Sequence, residues 1–287
     1  MVSMLPFSAT AMKSSLENLT VFLTGATGGI GRATAAALAE RGAALLLHGR
    51  DERRLGELVS ELSSTGARIQ PLVADLSSLS ETVRLAREAA KAAPGLDVLI
   101  NNAGVGFGRD STRRERSRDG FELRFAVNYL AAFVLSEELM ARGVPRRALV
   151  NVASAGQETL DFSDLMTDRG YGGVRAYCRS KLAMIMMGFD CAALHPGLQV
   201  HALHPGTYLD SGMVREAGIR PMGPVSRGAE SIVAVLEEAL RGGESGRYFD
   251  QSTPARALAQ AYDRNARARL REVSLTLAEP FRRQERT

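Results

Sequence analysis

Thr24-Gly25-Ala26-Thr27-Gly28-Gly29-Ile30-Gly31 is the stretch that decides the fold. An apolar run, residues 19–23, precedes it, and apolar residues recur at helical spacing over 30–41. A strand, a glycine-rich turn and a helix in that order open a βαβ unit. Gly25, Gly28, Gly29 and Gly31 let the backbone turn tightly and approach a pyrophosphate with no Cβ in the way. Thr27 and Ile30 share the turn, and the helix behind it offers unpaired N–H groups to an anion. The plain alternative is a tight turn that binds nothing.

Outward from this turn the pattern alternates. Strand-like runs at 45–48, 69–74, 98–100, 148–152 and 199–203 are separated by helical stretches at 52–64, 79–93, 121–142 and 174–194. Such alternation predicts an α/β fold: a single doubly wound Rossmann domain, its mostly parallel sheet of about seven strands covered by helices on both faces. A helix at 225–240 and a short strand at 246–250 follow, then an Arg-rich amphipathic stretch at 255–277. That stretch covers the substrate cleft, makes a subunit contact, or is a plain surface helix. We expect residues 1–17 to be a loose arm, 18–253 the catalytic domain, and 254–287 a helical extension of it.

The ends of the predicted strands carry the chemistry. Leu47-His48-Gly49-Arg50 closes the second. A free ribose 2′-hydroxyl calls for an acid at this place and a 2′-phosphate for a cation. Arg50 stands there, with Arg32 behind the glycine turn as a second cation, so NADP(H) is expected; Asp51 in another register would favour NAD. Asp75 and Leu76 end the third strand, where the carboxylate would accept from the adenine amino group or cap the next helix. Asn102-Ala103-Gly104 ends the fourth, and its small residues let the backbone close on a cofactor. Asn128 lies within an otherwise apolar helix, as a structural bridge or part of a polar relay. Ser154 follows the fifth strand, and Tyr177 and Lys181 stand at i and i+4 on one helix face. A lysine charge near a phenol favours phenolate and lowers its pKa, and the same lysine reaches a nicotinamide ribose. Ser154 would hydrogen-bond the reacting oxygen.

Taken together these motifs resemble the short-chain dehydrogenases/reductases over roughly residues 18–250. Ala176-Tyr177-Cys178-Arg179-Ser180-Lys181, Asp119-Gly120-Phe121-Glu122, His204-Pro205-Gly206 and Gly246-Arg247-Tyr248-Phe249 look most like the retinol-dehydrogenase-like branch. So does the gap of 22 residues between Ser154 and Tyr177. The resemblance implies Tyr177 as acid/base, Lys181 as its electrostatic helper and ribose clamp, Ser154 as carbonyl anchor, and Asn128 as organiser of a relay water. It implies cofactor contacts from Pro205, Gly206 and the residues after them. The Thr or Ser that the family places four residues beyond the glycine is Asp210 here, leaving Thr207, Tyr208 or Ser211 for the nicotinamide amide. A homodimer or homotetramer through the helices of Asn128 and Tyr177 is also implied.

Composition narrows the class further. No apolar run approaches the roughly 20 residues that a membrane helix needs, and the N-terminus has no signal-peptide pattern. The membrane anchor that the resemblance associates with many relatives is expected to be absent, and arginine makes up all but Lys13, Lys91 and Lys181 of the 36 basic residues. A soluble, cytoplasmic bacterial member is expected, with Cys178 and Cys191 reduced. The arginines of 109–118 alternate with acids, which reads as a solvated loop, so no nucleic-acid partner is expected. None of the 4 histidines pairs at metal spacing, so no metal site is expected. The expected function is reduction of a ketone, or oxidation of a secondary alcohol, on an apolar or aromatic, lipid- or polyketide-like small molecule in secondary metabolism. The alternatives are a cofactor-assisted epimerase or dehydratase, and a non-catalytic NADP-binding regulator.

Overall fold

The computed structural model describes residues 16–284; most of the expected N-terminal arm lies outside them. In chain order the elements are β1 (Thr20–Leu23), α1 (Gly29–Glu40), β2 (Ala44–Gly49), α2 (Glu52–Leu62), β3 (Ile69–Val73), α3 (Leu79–Ala92) and β4 (Val98–Asn101). A π-helical segment (Phe125–Leu130) runs into α4 (Ala131–Met140), followed by β5 (Ala148–Val152), α5 (Gly173–Leu194) and β6 (Gln199–His204). Then come α6 (Gly212–Glu216), α7 (Val225–Arg241), β7 (Arg247–Asp250), β8 (Thr253–Ala255) and α8 (Arg264–Gln284). The strands form one sheet in the order β3-β2-β1-β4-β5-β6-β7-β8, parallel except for the last pair.

Alternate strand residues feed two cores, as the pleat requires. Val21, Leu23, Leu45, Leu47, Val98 and Ile100 pack with Leu38 of α1 and Ile232 and Leu236 of α7. Phe22, Leu46, Leu99 and Leu149 face Leu85 of α3 and Leu135 and Leu139 of α4. Because both faces are covered, β4 and β5 are buried along their whole length and are apolar apart from Asn101 and Asn151, whose side chains bond each other at 2.9 Å. The chain leaves β1 for β2 on one side and returns to β4 on the other. The crevice outside the ends of β1 and β4 is therefore the ligand site of such sheets.

Four details differ from the sequence expectation. The sheet has eight strands rather than about seven, because β8, three residues with Pro254 exposed in the middle, has no apolar alternation. The helix expected over 121–142 begins as a π-helix. The C-terminal helix starts at Arg264, after a 3-10 turn at Ala259–Tyr262. Leu16, inside the expected arm, is fully buried in the core.

The tail is not a plain surface helix. Ala266, Leu270, Ser274 and Ala278 recur every four residues and are buried. Ser274 Oγ shares a 2.6 Å hydrogen bond with Tyr129, and Arg271 holds Glu137 through two bonds of 2.7 Å. Arg282 reaches Glu138 at 2.6 Å. The face around α4 and α5 that the family resemblance gives to subunit association is thus covered by the chain's own α8.

Candidate functional site

The glycine turn is as tight as its composition suggests. Gly25 has φ +67°, and a Cβ there would lie 2.7 Å from Ala103 Cα. A Cβ on Gly31 would lie 2.1 Å from the Gly25 carbonyl oxygen and 2.6 Å from Asn102 Nδ2. Gly28 is the N-cap of α1 and brings no side chain to cap it, so the first N–H groups of the helix stay open to an anion. Ile30 packs on the core. Thr24 Oγ1 accepts from the N–H groups of Asn102 and Ala103, both at 3.0 Å. Asn102 Nδ2 returns bonds to the carbonyls of Thr24 (2.8 Å) and Gly25 (3.2 Å). The ends of β1 and β4 are locked together beneath the turn.

At the end of β2, Arg50 is exposed and makes no ion pair among the described residues. Arg32 is paired with Glu61. The Asp51 carboxylate is taken by the N–H of Arg54, which it caps. Arg54 lies along the turn, its guanidinium donating to the Thr27 carbonyl at 3.2 Å and 3.3 Å from where a Cβ on Gly28 would be. Asp75 does not cap α3. Its Oδ1 accepts from Ser77 N, and Ser78 is the cap. The Leu76 side chain is buried in the core, which leaves only its backbone to face the crevice.

Next to the turn, a Cβ on Gly104 would lie 3.2 Å from Asn128 Oδ1 and 3.6 Å from Lys181 Nζ. Asn128 is fully buried in the π-helical segment, a deviation that recurs at functional sites. Its Oδ1 accepts from Val105 N (2.7 Å), and its Nδ2 donates to Val105 O (3.1 Å) and Ser180 Oγ (3.0 Å). Both ends of the amide are engaged, so its side chain bridges the β4 loop and α5. The loop beyond is braced by buried Arg124, which donates to the Gly106 carbonyl (2.9 Å) and pairs with Glu115. This bracing sets the Phe107 ring edge-on to Tyr177, with centroids 4.9 Å apart.

Tyr177, Lys181 and Ser154 meet in the crevice. Lys181 is buried, donates to the Val152 carbonyl at 2.8 Å, and stands 5.7 Å from the Tyr177 ring centre. Burial brings its ammonium down to about 8. Burial pushes the Tyr177 phenol up to about 12, against the pull of the neighbouring Ser154 hydroxyl. The expected lowering of the phenol by the lysine charge does not enter: desolvation is the largest influence, and Ser154, not Lys181, is what pulls the other way. Ser154 Oγ accepts from Gly156 N (3.0 Å), which leaves the hydroxyl proton to be donated elsewhere.

The segment after β6 closes the crevice from above. Pro205 and Gly206 (φ +133°) turn the chain, and Thr207 Oγ1 shares a 3.1 Å hydrogen bond with His204. Tyr208, at φ +45°, is 40% exposed and turned outward. Ser211 caps α6 and sits over Gly29, where a Cβ would lie 3.1 Å from its own. Of the three candidates for the nicotinamide contact, Ser211 is thus the one seated on the glycine turn. Met213 lies against Gly106.

Sequence reasoning missed His48, Arg54 and Met213. His48 stands within an apolar strand run, and a buried polar side chain there has to be satisfied; that was the available signal. Among the described residues no group of three or more His, Cys, Asp or Glu could hold a metal, and no helix is long and apolar enough to cross a membrane.

A doubly wound sheet with this turn and a Ser-Tyr-Lys set defines a class, and comparison with known proteins gives the same answer. Residues 19–220 match the short chain dehydrogenase family. The chain belongs to that family of oxidoreductases, in its retinol-dehydrogenase-like branch. It is 34% identical to human retinol dehydrogenase 11 over 282 residues, which is 91% of this chain and 86% of that one. It is 35% identical to a Streptomyces sp. (strain C5) protein provisionally named daunorubicin C-13 ketoreductase DnrU, over 79% of this chain and 83% of that one. A crystal structure of an uncharacterised Mycobacterium paratuberculosis protein superposes with TM-score 0.73 at 27% identity, covering 93% and 97% of the two chains. A Burkholderia cenocepacia J2315 short chain dehydrogenase in complex with NADP shares the fold, with TM-score 0.65 at 23% identity over 82% and 96%.

Proposed function

We propose that this enzyme is an NADP(H)-dependent ketoreductase/alcohol dehydrogenase acting on an apolar or aromatic, lipid- or polyketide-like substrate. The observation that carries the proposal is the convergence of Tyr177, Lys181 and Ser154 beside Gly104, at the foot of an uncapped glycine turn. The cradle fits a dinucleotide: Gly25, Gly31 and Gly104 leave the space that a Cβ would fill, and the open N–H groups of α1 suit a pyrophosphate. Arg50, free of ion pairs among the described residues, and Arg54 beside the turn would hold the 2′-phosphate. Lys181 would bind the ribose. The bound cofactor supplies hydride to the carbonyl carbon.

The chain's own residues manage the oxygen. The Ser154 hydroxyl donates to the carbonyl and holds it in line. Tyr177, kept protonated by burial, gives its proton to the oxygen as it becomes an alkoxide. The Lys181 ammonium steadies the phenolate left behind. Phe107 and Met213 wall the site with apolar surface. Val174, Tyr208 and Met222 add exposed apolar groups on the neighbouring segments, which supports a non-polar substrate. A role in secondary metabolism is supported by the likeness to the Streptomyces protein. The intact triad weighs against a non-catalytic regulator.

Because α8 covers the α4–α5 face, we read residues 16–284 as one unit that works as a single chain, and we assign it to the cytoplasm. Sedimentation velocity showing a dimer would refute this. Turnover of a panel of apolar ketones with NADPH, followed by cofactor absorbance, tests the activity; no turnover of any member would sink it.

A further inference from the structure

The long insert between Ser154 and Tyr177 is fastened to the C-terminal segment at two points. Gln157 spans one: its Nε2 donates to the Ser154 carbonyl at 3.1 Å, and its Oε1 accepts from Leu258 N at 2.8 Å. Gln260 closes the other, accepting from Leu160 N (2.6 Å) and donating to Leu160 O (3.1 Å). The buried Tyr248 hydroxyl gives the Ser154 carbonyl a second donor at 3.0 Å.

We propose that Gln157 and Tyr248, backed by residues 257–262, are positioning residues that aim the Ser154 hydroxyl at the substrate oxygen. Two donors converging on one carbonyl fix the peptide plane that follows Ser154, and with it the Cα–Cβ direction. Gly156 N then occupies one lone pair of Oγ and directs the hydroxyl proton outward. A serine opening a 22-residue insert would otherwise sample many orientations, and a small misplacement is costly in such a site. The clasp also answers what the C-terminal segment does: it fixes one wall of the crevice.

This inference rests on the reading of Ser154 as carbonyl anchor, so its test has two independent arms. The first is backbone hydrogen exchange over residues 153–162 in Tyr248→Phe, Gln157→Ala and Gln260→Ala. Exchange should accelerate in all three while the midpoint of thermal unfolding moves little, because Gln157 and Gln260 border solvent and phenylalanine fills the tyrosine's place. The second arm is kinetic. Tyr248→Phe and Gln157→Ala should each lower kcat by about tenfold, and together by about 100-fold, with NADPH affinity unchanged. Unaltered exchange, or wild-type kcat in both variants where Ser154→Ala is severely impaired, overturns the clasp. If the wild-type enzyme reduces no ketone, the reductase reading fails, and the exchange arm alone decides the clasp.

Discussion

His48 Nδ1 accepts a hydrogen bond from the backbone N–H of Gly25 at 3.2 Å, while its Nε2 stands 3.0 Å from the Ala74 carbonyl. One imidazole therefore ties the first glycine of the turn to the ends of both β2 and β3. The pairing requires a neutral ring protonated on Nε2, and burial holds its pKa down to about 4.

A pH dependence of stability follows. Between pH 6.5 and 4 the unfolded chain binds a proton at His48 that the folded chain refuses, so stability is complete above 6.5 and is lost as pH falls towards 4. A shift of this size corresponds to about 3 kcal/mol. His201, also brought to about 4 by burial, contributes in the same window. His48→Gln should therefore flatten part of the acid limb of unfolding midpoint against pH and weaken NADPH binding. An unchanged limb would show that the ring charges freely in the folded protein.

Tyr177→Phe keeps the ring against Phe107 and removes only the proton donor. Reduction should fall by about 100-fold or more, with cofactor affinity little changed. Since burial holds the phenol near 12, the wild-type reductive rate should not be limited by loss of that proton at neutral pH. Alcohol oxidation, which needs the phenolate, should accelerate as pH rises. Near-normal reduction by the variant would assign the proton to another group.

Lys181 gives an opposite pair of signs. With its ammonium near pH 8, kcat/KM for ketone reduction should fall as the pH rises through that value and the charge is lost. Stability moves the other way. Burying the charge costs free energy below about 8, and the cost is relieved as pH rises towards 10.5. Lys181→Met should lose both turnover and cofactor affinity, yet compare more favourably with wild type in unfolding free energy at pH 7 than at pH 10. Equal differences at the two pH values would contradict the buried charge.

Arg50→Ala should weaken NADPH more than NADH, lowering the preference about tenfold or more for the loss of a charge-assisted contact. Arg54→Ala should act in the same direction, whereas Arg32→Ala should alter mainly its contact with Glu61. Titration of each variant with both cofactors separates these outcomes. Equal loss of NADPH and NADH in Arg50→Ala would give the choice to Arg54.

Local pattern made much of this readable. A glycine turn between an apolar run and a helical one, and a tyrosine and lysine one turn apart, are short-range features whose geometry follows from helix and strand periods. Pairings across long separations were not readable. That Ser78 rather than Asp75 caps α3, that Arg32 is taken by Glu61, and that desolvation dominates the Tyr177 phenol all depend on what packs nearby in three dimensions. β8 escaped notice because an edge strand of three residues has no period to detect.

The two fastenings of the Ser154 insert also impose an order on the making of the protein. Gly25 and His48 lie 23 residues apart, and the hydrogen bonds of the turn reach no further along the chain than Asn102 and Ala103. Gln157 and Leu160, by contrast, find their partners 101 and 100 residues later. Closing so long a loop is slow relative to local structure, and a growing chain forms its N-terminal contacts first. A nascent polypeptide halted before Leu258 would already hold the glycine turn, but its Ser154 loop would lack both of these fastenings. Dinucleotide recognition and catalytic competence are then acquired at different moments of synthesis, the second only once Leu258 and Gln260 have been added.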